Sequence, residues 1–410
     1  MKLHSRRTFL KTSAVLAATS GWAADALASS LQQVGTQTDL SDHFRGWVEF
    51  SRAALQHNAA EIVRATGVPL CACVKHHGYG LGEGNVAGAI DSVSGVWGYM
   101  VARPDEAWRL VEAKVKKPVL LLGPADERTS INLARAGVVL GLSGKDDVAT
   151  VAPIARALGR PVTAHLEVDT GIHRQGISYE QAVERGVALN KSGAVRFTGL
   201  SSYFASAPRD APREPWPYEL KQIDRFNAVA HGLDRARVAY GKRHMVTSIT
   251  LFQYPQAIYE MTRCGALVYG GMHPDALAWG KNKDQLSLKQ SYEVKARLAQ
   301  ITRIPAGDGV GYGQRFSTNK PVYVGLILLA GLDGYRPNLD DGVVLLNGTE
   351  RRVIARTSQH SMILLGDEPH ARVGDVVTVY GKDPRVLPER INTPWASYEL
   401  SPDLPKVALP

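Results

Sequence analysis

The chain of 410 residues is 44% hydrophobic and 21% charged, a composition typical of globular proteins and long enough for more than one domain. This composition excludes disordered and collagen-like classes. The formal net charge is +9, but the first thirty residues contribute an excess of three positive charges, so the remainder carries +6. Without basic clusters or interleaved aromatic residues, that excess does not predict a nucleic-acid partner.

The first 28 residues have the features of an export signal. Residues 5–11, which contain Arg6 and Arg7, are similar to the twin-arginine motif, and a modestly apolar stretch and a small-residue site at 26–28 follow them. We therefore expect the twin-arginine machinery to export the protein, and cleavage to give a soluble periplasmic chain that begins near Ser29. No later run of eighteen apolar residues predicts a membrane-spanning helix.

From residue 44 onward, short β-type runs alternate with helical segments. The predicted strands are 46–50, 69–75, 96–101, 118–123, 138–142, 161–168, 195–203, 244–248 and 262–269. Helical periodicity lies between them at 51–66, 104–113, 146–158, 179–192 and 219–233. About eight strands interleaved with helices predict a parallel (β/α)8 TIM-type barrel in residues 44–284. An open doubly wound sheet is the alternative, but no Gly-x-Gly-x-x-Gly follows the first strand.

The pattern changes near residue 285. Short β-type runs at 292–303, 322–329, 342–346, 352–355, 361–365 and 375–380 are separated by Gly, Asn and Asp turns. Runs of strands without intervening helices predict a separate C-terminal all-β domain in residues 285–410. The short segment 29–43, between the signal and the barrel, is expected to pack on this β domain.

One lysine is placed unusually. Lys75 follows the apolar run 69–74 and enters a turn that contains Gly78 and Gly80. A desolvated lysine amine has a lowered pKa and becomes a nucleophile suited to Schiff-base chemistry. The alternative is a solvated lysine just past the end of a strand.

Other chemically active residues follow or end predicted strands, or lie along the last one, near the end where the active site of a barrel lies. They are Tyr79, Asp169, Thr170, Arg174, Tyr203, Ser248, Arg263, Gly265 and Ala266. The hydroxyls of Tyr79 and Ser248, with backbone amides near Gly265, are the donors that a phosphate group requires. Each residue alone also has a structural explanation, such as a rim tyrosine, a surface ion pair or a turn glycine.

A set of motifs in fixed order is more specific than any single residue. The motifs are 74–80 around Lys75, 101–107, 168–176, 247–248, 263–270, 309–313, and 392–394 followed by 398–399. Together they resemble the alanine racemases and the related broad-specificity amino-acid racemases, over residues 44–402. The resemblance carries the fold-type III architecture of pyridoxal-phosphate enzymes, a β/α barrel followed by a β domain.

The resemblance implies a pyridoxal 5'-phosphate (PLP) enzyme that interconverts L- and D-amino acids with two bases. Lys75 would bind the cofactor as a Schiff base and, once released, act as the base on one face of the substrate Cα. Tyr312 of the partner subunit would be the base on the opposite face, so a homodimer would share each active site. No metal ion is implied.

The resemblance also assigns the remaining site residues. Arg263 would contact the pyridine nitrogen, and Arg174 would face the substrate carboxylate or the phenolic oxygen of the cofactor. The phosphate would be held by Tyr79, Ser248, the amides of Gly265 and Ala266, and Tyr398. Tyr203 would belong to the cofactor site, and Gln359 would lie with Arg174 and Tyr312 at the substrate.

Several positions depart from the family pattern. Tyr203 stands where the family has a histidine, and Glu167 stands where alanine racemases carry a modified lysine. His76 and His77 replace small or amide residues, and residues 359–360, Gln-His, replace Met-Asp in the substrate entry loop. These changes leave open the substrate, the physiological direction, the reaction outcome and the stability of the dimer.

Two other functions are compatible with the same motifs. One is a D-amino-acid lyase or aldolase of the same PLP fold, which would require a metal pair near the C-terminus. No His-x-Asp or His-x-Cys occurs after residue 280. The other is a non-catalytic homologue that binds PLP or another ligand.

Overall fold

The computed structural model describes residues 46–205, 216–251, 253–271, 286–387 and 400–409. The predicted signal at 1–28, the segment 29–43 and Tyr398 lie outside these ranges. Among the described residues, no helix is both long and apolar enough to cross a membrane.

The first part of the described chain alternates strands and helices, as predicted. The strands are β1 (Gly46–Ser51), β2 (Leu70–Cys73), β3 (Val96–Val101), β4 (Val119–Leu121), β5 (Val139–Leu142), β6 (Val162–Asp169), β7 (Ile177–Ser178), β8 (Val195–Ser201), β9 (Lys242–His244) and β10 (Thr262–Cys264). The helices are α1 (Arg52–Thr66), α2 (Glu83–Ile90), α3 (Pro104–Glu112), α4 (Glu127–Arg135), α5 (Val148–Leu158), α6 (Tyr179–Lys191) and α7 (Pro217–Arg235).

Strands β2 to β10 form a nearly closed parallel barrel. Their order is β10-β2-β3-β4-β5-β6-β8-β9, and the short β7 pairs with β6 outside this path. The N–H of Arg263 on β10 donates to the carbonyl of Val246, just beyond β9, at 3.2 Å. This bond lies between the two ends of the path, so the predicted (β/α)8 barrel is confirmed.

Local sequence explains where several helices begin and end. The side chains of Ser51, Asp126 and Asp147 accept the first free N–H groups of α1, α4 and α5, as N-cap residues do. Helix α1 ends at Gly67, whose φ of +67° suits a residue without a side chain. Helices α2 and α4 were not predicted from the sequence. Helix α2 has only eight residues and contains Gly84 and Gly88, which weaken a helical signal.

The later strands form the predicted all-β domain. They are β11 (Tyr292–Ile304), β12 (Gly309–Val310), β13 (Phe316–Ser317), β14 (Val322–Ile327), β15 (Val343–Leu346), β16 (Thr349–Arg356), β17 (Ser361–Gly366), β18 (Val376–Tyr380) and β19 (Lys406–Leu409). The path β14-β17-β16-β15-β18-β11 is antiparallel throughout, and β11 pairs again with β14. The six strands therefore close on themselves, so that each of them is paired on both sides.

The interpretation of β1 as the first barrel strand was wrong. β1 pairs antiparallel with β11 and parallel with β19, so it extends the C-terminal sheet. Trp47, Val48 and Phe50 are all buried, and a run buried on both faces does not reveal which sheet it joins. The predicted strand 262–269 is also shorter than expected, because a 3₁₀ helix begins at Ala266.

The segment after β2 is a left-handed turn rather than the end of a strand. His76, His77, Gly78 and Tyr79 have φ values between +52° and +58°, a region that costs an L-residue about 1–2 kcal/mol. The buried carboxylate of Glu106 on α3 accepts the N–H of His76 at 2.7 Å. Its other oxygen accepts the N–H groups of Ala102 and Arg103 at 2.9 and 3.0 Å. Glu106 therefore fastens the turn that follows Lys75 to the start of α3.

We expect Glu106→Gln to lower the free energy of unfolding by about 2 kcal/mol, because an amide NH2 cannot accept the N–H groups that the carboxylate accepts. Denaturant unfolding measures the change. Glu112→Gln, at the exposed end of the same helix, is the matched control and should change stability by no more than about 0.5 kcal/mol. Equal effects of the two substitutions would contradict the anchoring role of Glu106.

Candidate active site

Lys75 lies at the carboxyl end of the barrel strands, where the sequence placed it. It follows β2, whose neighbours are β10 and β3. The side chain is partly buried and lines a cavity of about 360 Å³ together with His76, Ala102, Arg103 and Glu106. Lys75 therefore forms one wall of a recess whose other walls come from the left-handed turn and the start of α3.

The predicted phosphate-binding residues come together beside β10. The N–H of Gly265 donates to Ser248 Oγ at 3.0 Å, and the N–H of Leu267 lies 3.4 Å from the same oxygen. A Cβ at position 265 would overlap the hydroxyl of Tyr79. Glycine is therefore required there, and the Tyr79 and Ser248 hydroxyls converge on this backbone. The Leu267 amide was not predicted from the sequence. It points at Ser248 Oγ because a 3₁₀ helix begins at Ala266.

Arg263 is a buried cation with unused donors. Its side chain is 1% exposed, and Nη2 donates to the carbonyl of Ser202. Within the described residues, Nε and Nη1 have no hydrogen-bond partner. Burial lowers the pKa of Arg263, while the nearby Glu167 carboxylate opposes that shift. Since buried donors are normally paired, this guanidinium is suited to a ligand atom that accepts a hydrogen bond.

Glu167 is a second buried charge in the same region. It is 2% exposed, and Gln175 Nε2 lies 3.0 and 2.9 Å from its two oxygens. Burial raises the pKa of Glu167, against the opposing effect of Arg263. Gln175 was not singled out from the sequence, although it lies within the motif 168–176. Only the fold shows that it is the hydrogen-bond partner of Glu167.

Two histidines inside the barrel were also missed. His165 Nδ1 on β6 lies 2.9 Å from His244 Nε2 on β9, and both side chains are fully buried. Burial lowers the pKa of His165 to about 3 and places the pKa of His244 well below its usual range. Both imidazoles are therefore neutral at pH 7, so the pair adds no charge near Arg263.

Tyr312, predicted to act at the partner subunit's site, and Gln359, predicted to bind the substrate, are both exposed. Tyr312, on the 3₁₀ helix between β12 and β13, is 79% exposed, and Gln359 is exposed in the turn between β16 and β17. Neither side chain lines the cavity beside Lys75 in the same chain. Arg174 is exposed too, but its guanidinium carbon lies 4.6 Å from the centre of the Tyr203 ring.

Comparisons with known proteins cover most of the chain. The alanine racemase N-terminal domain family matches residues 50–273, and the alanine racemase C-terminal domain family matches residues 291–398. An alanine racemase from Synechocystis sp. is 30% identical over 344 residues, 83% of this chain and 90% of that protein. A serine/alanine racemase from Enterococcus gallinarum is 28% identical over 295 residues, 72% of this chain and 41% of that protein.

Solved structures give the same result. The alanine racemase from the D-cycloserine producer Streptomyces lavendulae superposes with a TM-score of 0.80 at 25% identity, covering 89% of this chain and 97% of that one. The enzyme from Streptomyces coelicolor A3(2) has a TM-score of 0.76 at 26% identity, covering 90% and 100%. Both domains, in the same order, have counterparts in these proteins. The chain belongs to the alanine racemase family.

Proposed function

We propose that this protein is an exported, PLP-dependent racemase that interconverts L- and D-amino acids with two bases, in a homodimer whose subunits share each site. The observation that carries the proposal is the buried Arg263, with two unused donors, on the strand adjacent to the one that ends before Lys75. A lysine nucleophile, a phosphate-sized set of donors and a buried cation at neighbouring strand ends are the parts that PLP requires.

The residues present fit PLP. Lys75 would hold the cofactor covalently, and Tyr79, Ser248, Gly265, Ala266 and Tyr398 would hold its phosphate. Support comes from the convergence of Tyr79 and Ser248 on the Gly265 backbone. When bound, PLP would withdraw electrons from the substrate Cα and so acidify its C–H bond.

Arg263 would set the electronic strength of the cofactor. Since an arginine keeps its proton at every relevant pH, Arg263 would donate a hydrogen bond to the pyridine nitrogen without protonating it. An unprotonated ring withdraws electrons more weakly, which limits carbanion build-up and side reactions such as transamination. Nε and Nη1 of Arg263, which have no partner within the described residues, support this role.

Two bases would invert the substrate carbon. The Lys75 amine would exchange a proton with one face of the Cα, and Tyr312 of the partner subunit would exchange a proton with the other. Removal by one base and delivery by the other conserves the proton count and needs no movement of either base. The 79% exposure of Tyr312 supports a role at a site on another subunit. Arg174 and Gln359 would bind the substrate, with Arg174 at its carboxylate.

The departures from the family pattern favour a broad or non-alanine specificity. The proposal rests on Tyr203, Glu167 and the Gln-His pair at 359–360, which change the surroundings of Arg174 and the entry loop. Incubation of the purified protein with each L-amino acid in deuterated water, following Cα exchange and chirality, identifies the substrate. PLP absorbance without exchange for any amino acid would favour a non-catalytic homologue instead.

Lys75→Ala is expected to abolish the visible absorbance of covalently bound PLP and to slow racemisation by at least about 10³-fold, because nucleophile and base are lost together. Absorbance spectra and chiral chromatography measure the two effects. Lys191→Ala, at the exposed end of α6, is the control and should retain both. A Lys75→Ala protein with normal absorbance and rate would exclude Lys75 from the site.

Tyr312→Phe is expected to slow Cα exchange from one enantiomer by about 10²-fold or more and from the other far less, because each base serves one face. Deuterium incorporation, started separately from the L and D substrates, measures this asymmetry. Tyr323→Phe, on β14 of the same domain, is the matched control. An equal loss from both enantiomers contradicts the assignment of Tyr312 to one face.

Replacing Arg6 and Arg7 together by Lys is expected to retain the precursor in the cytoplasm, since the twin-arginine machinery requires the arginine pair. Cell fractionation with immunoblotting distinguishes precursor from mature protein. Lys11→Arg leaves the pair intact and should be exported normally. Normal export of the double variant would exclude this route.

A further inference from the structure

Two arginines of the proposed site contact the same aromatic ring. The guanidinium carbon of Arg174 lies 4.6 Å from the centre of the Tyr203 ring, and that of Arg263 lies 5.3 Å from it. Both distances are within the range of cation–π attraction. Arg174 comes from the loop after β6 and Arg263 from β10, so one side chain after β8 links two separate parts of the barrel rim.

The backbone that carries the ring is held in place. Gln222 on α7 is fully buried; its Nε2 donates to the Tyr203 carbonyl at 3.1 Å and its Oε1 accepts the Ala205 N–H at 2.8 Å. Nε2 also lies 3.1 Å from Thr170 Oγ1, in the loop after β6. Hydrogen bonds of Gln222 thus connect residues 203–205 to α7 and to the loop that leads to Arg174. The backbone that carries the Tyr203 ring is therefore fixed.

A ring face orients Arg263 without using its donors. The quadrupole of the ring attracts the guanidinium through its π face, which requires no N–H donor. Nε and Nη1 therefore keep their hydrogens available. A hydrogen-bonding side chain at position 203 would compete for one of these donors.

The nearby carboxylate does not perform the same task through hydrogen bonds. Glu167 lowers the energetic cost of the positive charges by its own charge, but Arg263 donates its hydrogen bond to the Ser202 carbonyl rather than to Glu167, and within the described residues its Nε and Nη1 have no partner. Charge compensation and orientation are therefore divided between Glu167 and Tyr203. Two cations that would otherwise repel each other are both attracted to one aromatic ring.

We infer that Tyr203 is a positioning residue that fixes Arg174 and Arg263 together through its ring face, and so couples substrate binding to cofactor binding. The inference rests on the proposed function, which assigns the cofactor to Arg263 and the substrate carboxylate to Arg174. The expectation that Tyr203 belongs to the cofactor site stays a prediction, and the inference adds a role through the two arginines. The hydroxyl group of Tyr203 is not needed for this role, whereas the aromatic face is.

The test compares Tyr203→Leu, which lacks a π face, with Tyr203→Phe, which keeps one. The apo form of each full-length protein is titrated with PLP, followed by tryptophan fluorescence, and kcat and KM are measured on the best amino acid. Tyr203→Leu should bind PLP about tenfold more weakly and raise KM by a similar factor. Tyr203→Phe should recover most of both losses.

The control is a cation–π contact elsewhere in the chain. Arg243 lies 4.8 Å from the Tyr259 ring, outside the proposed site. Tyr259→Leu should bind PLP with the wild-type affinity. If Tyr203→Leu does not fold, Tyr203→Met, which is also apolar without a π face, is measured by the same criteria.

Three results would overturn the inference. Wild-type PLP affinity and KM in the Leu or Met variant would show that the ring positions neither arginine, and a Phe variant as impaired as the Leu variant would assign the role to the hydroxyl. A change in only one of the two quantities would disprove the coupling. If the wild-type protein binds PLP but racemises no amino acid, the proposed function is wrong. The PLP affinities of the variants then still show whether the Tyr203 ring positions Arg263.

Discussion

The burial of the Arg263 guanidinium is the constraint on which the carboxyl end of the barrel depends. A positive charge taken out of water costs several kcal/mol unless other groups compensate it, and Arg263 is 1% exposed. Compensation comes from the Ser202 carbonyl after β8, the Glu167 carboxylate on β6 and the Tyr203 ring. Because these groups lie on different strands or strand ends, the barrel must hold those strands in register for the charge to be tolerated.

Around this charge, three side chains fix parts of the candidate site through hydrogen bonds. Glu106 fixes the turn after Lys75, Gln222 fixes the loop that carries Tyr203, and Gln175 occupies both oxygens of Glu167. Each of the three holds a backbone segment or a charged group in place, and a sequence motif does not show which group a side chain will hold. The strained left-handed turn persists because the surrounding bonds determine it.

The sequence predicted the parts of the site that follow from strand ends. Lys75 and Tyr79 come at the end of a recognisable apolar run, Ser248 ends another and Gly265 lies within the last one, and parallel strands bring their carboxyl ends to one rim. Partners such as Gln222 could not be predicted, because the bond joins residues brought together only when α7 packs beside the β8 loop. The assignment of β1 failed for a related reason: a uniformly buried run carries no signal that distinguishes one sheet from another.

The position of β1 has a consequence for the timing of folding. β1 lies between β11 and β19, so its first partner is about 240 residues away and its second about 360 residues away along the chain. Contacts of such long sequence separation form late, because chain closure is entropically costly before they exist. During synthesis β1 can pair with β11 as soon as that strand has emerged, whereas its other side stays unpaired until β19 follows. This part of the sheet is therefore completed in two stages, with β11 joining β1 before β19 does.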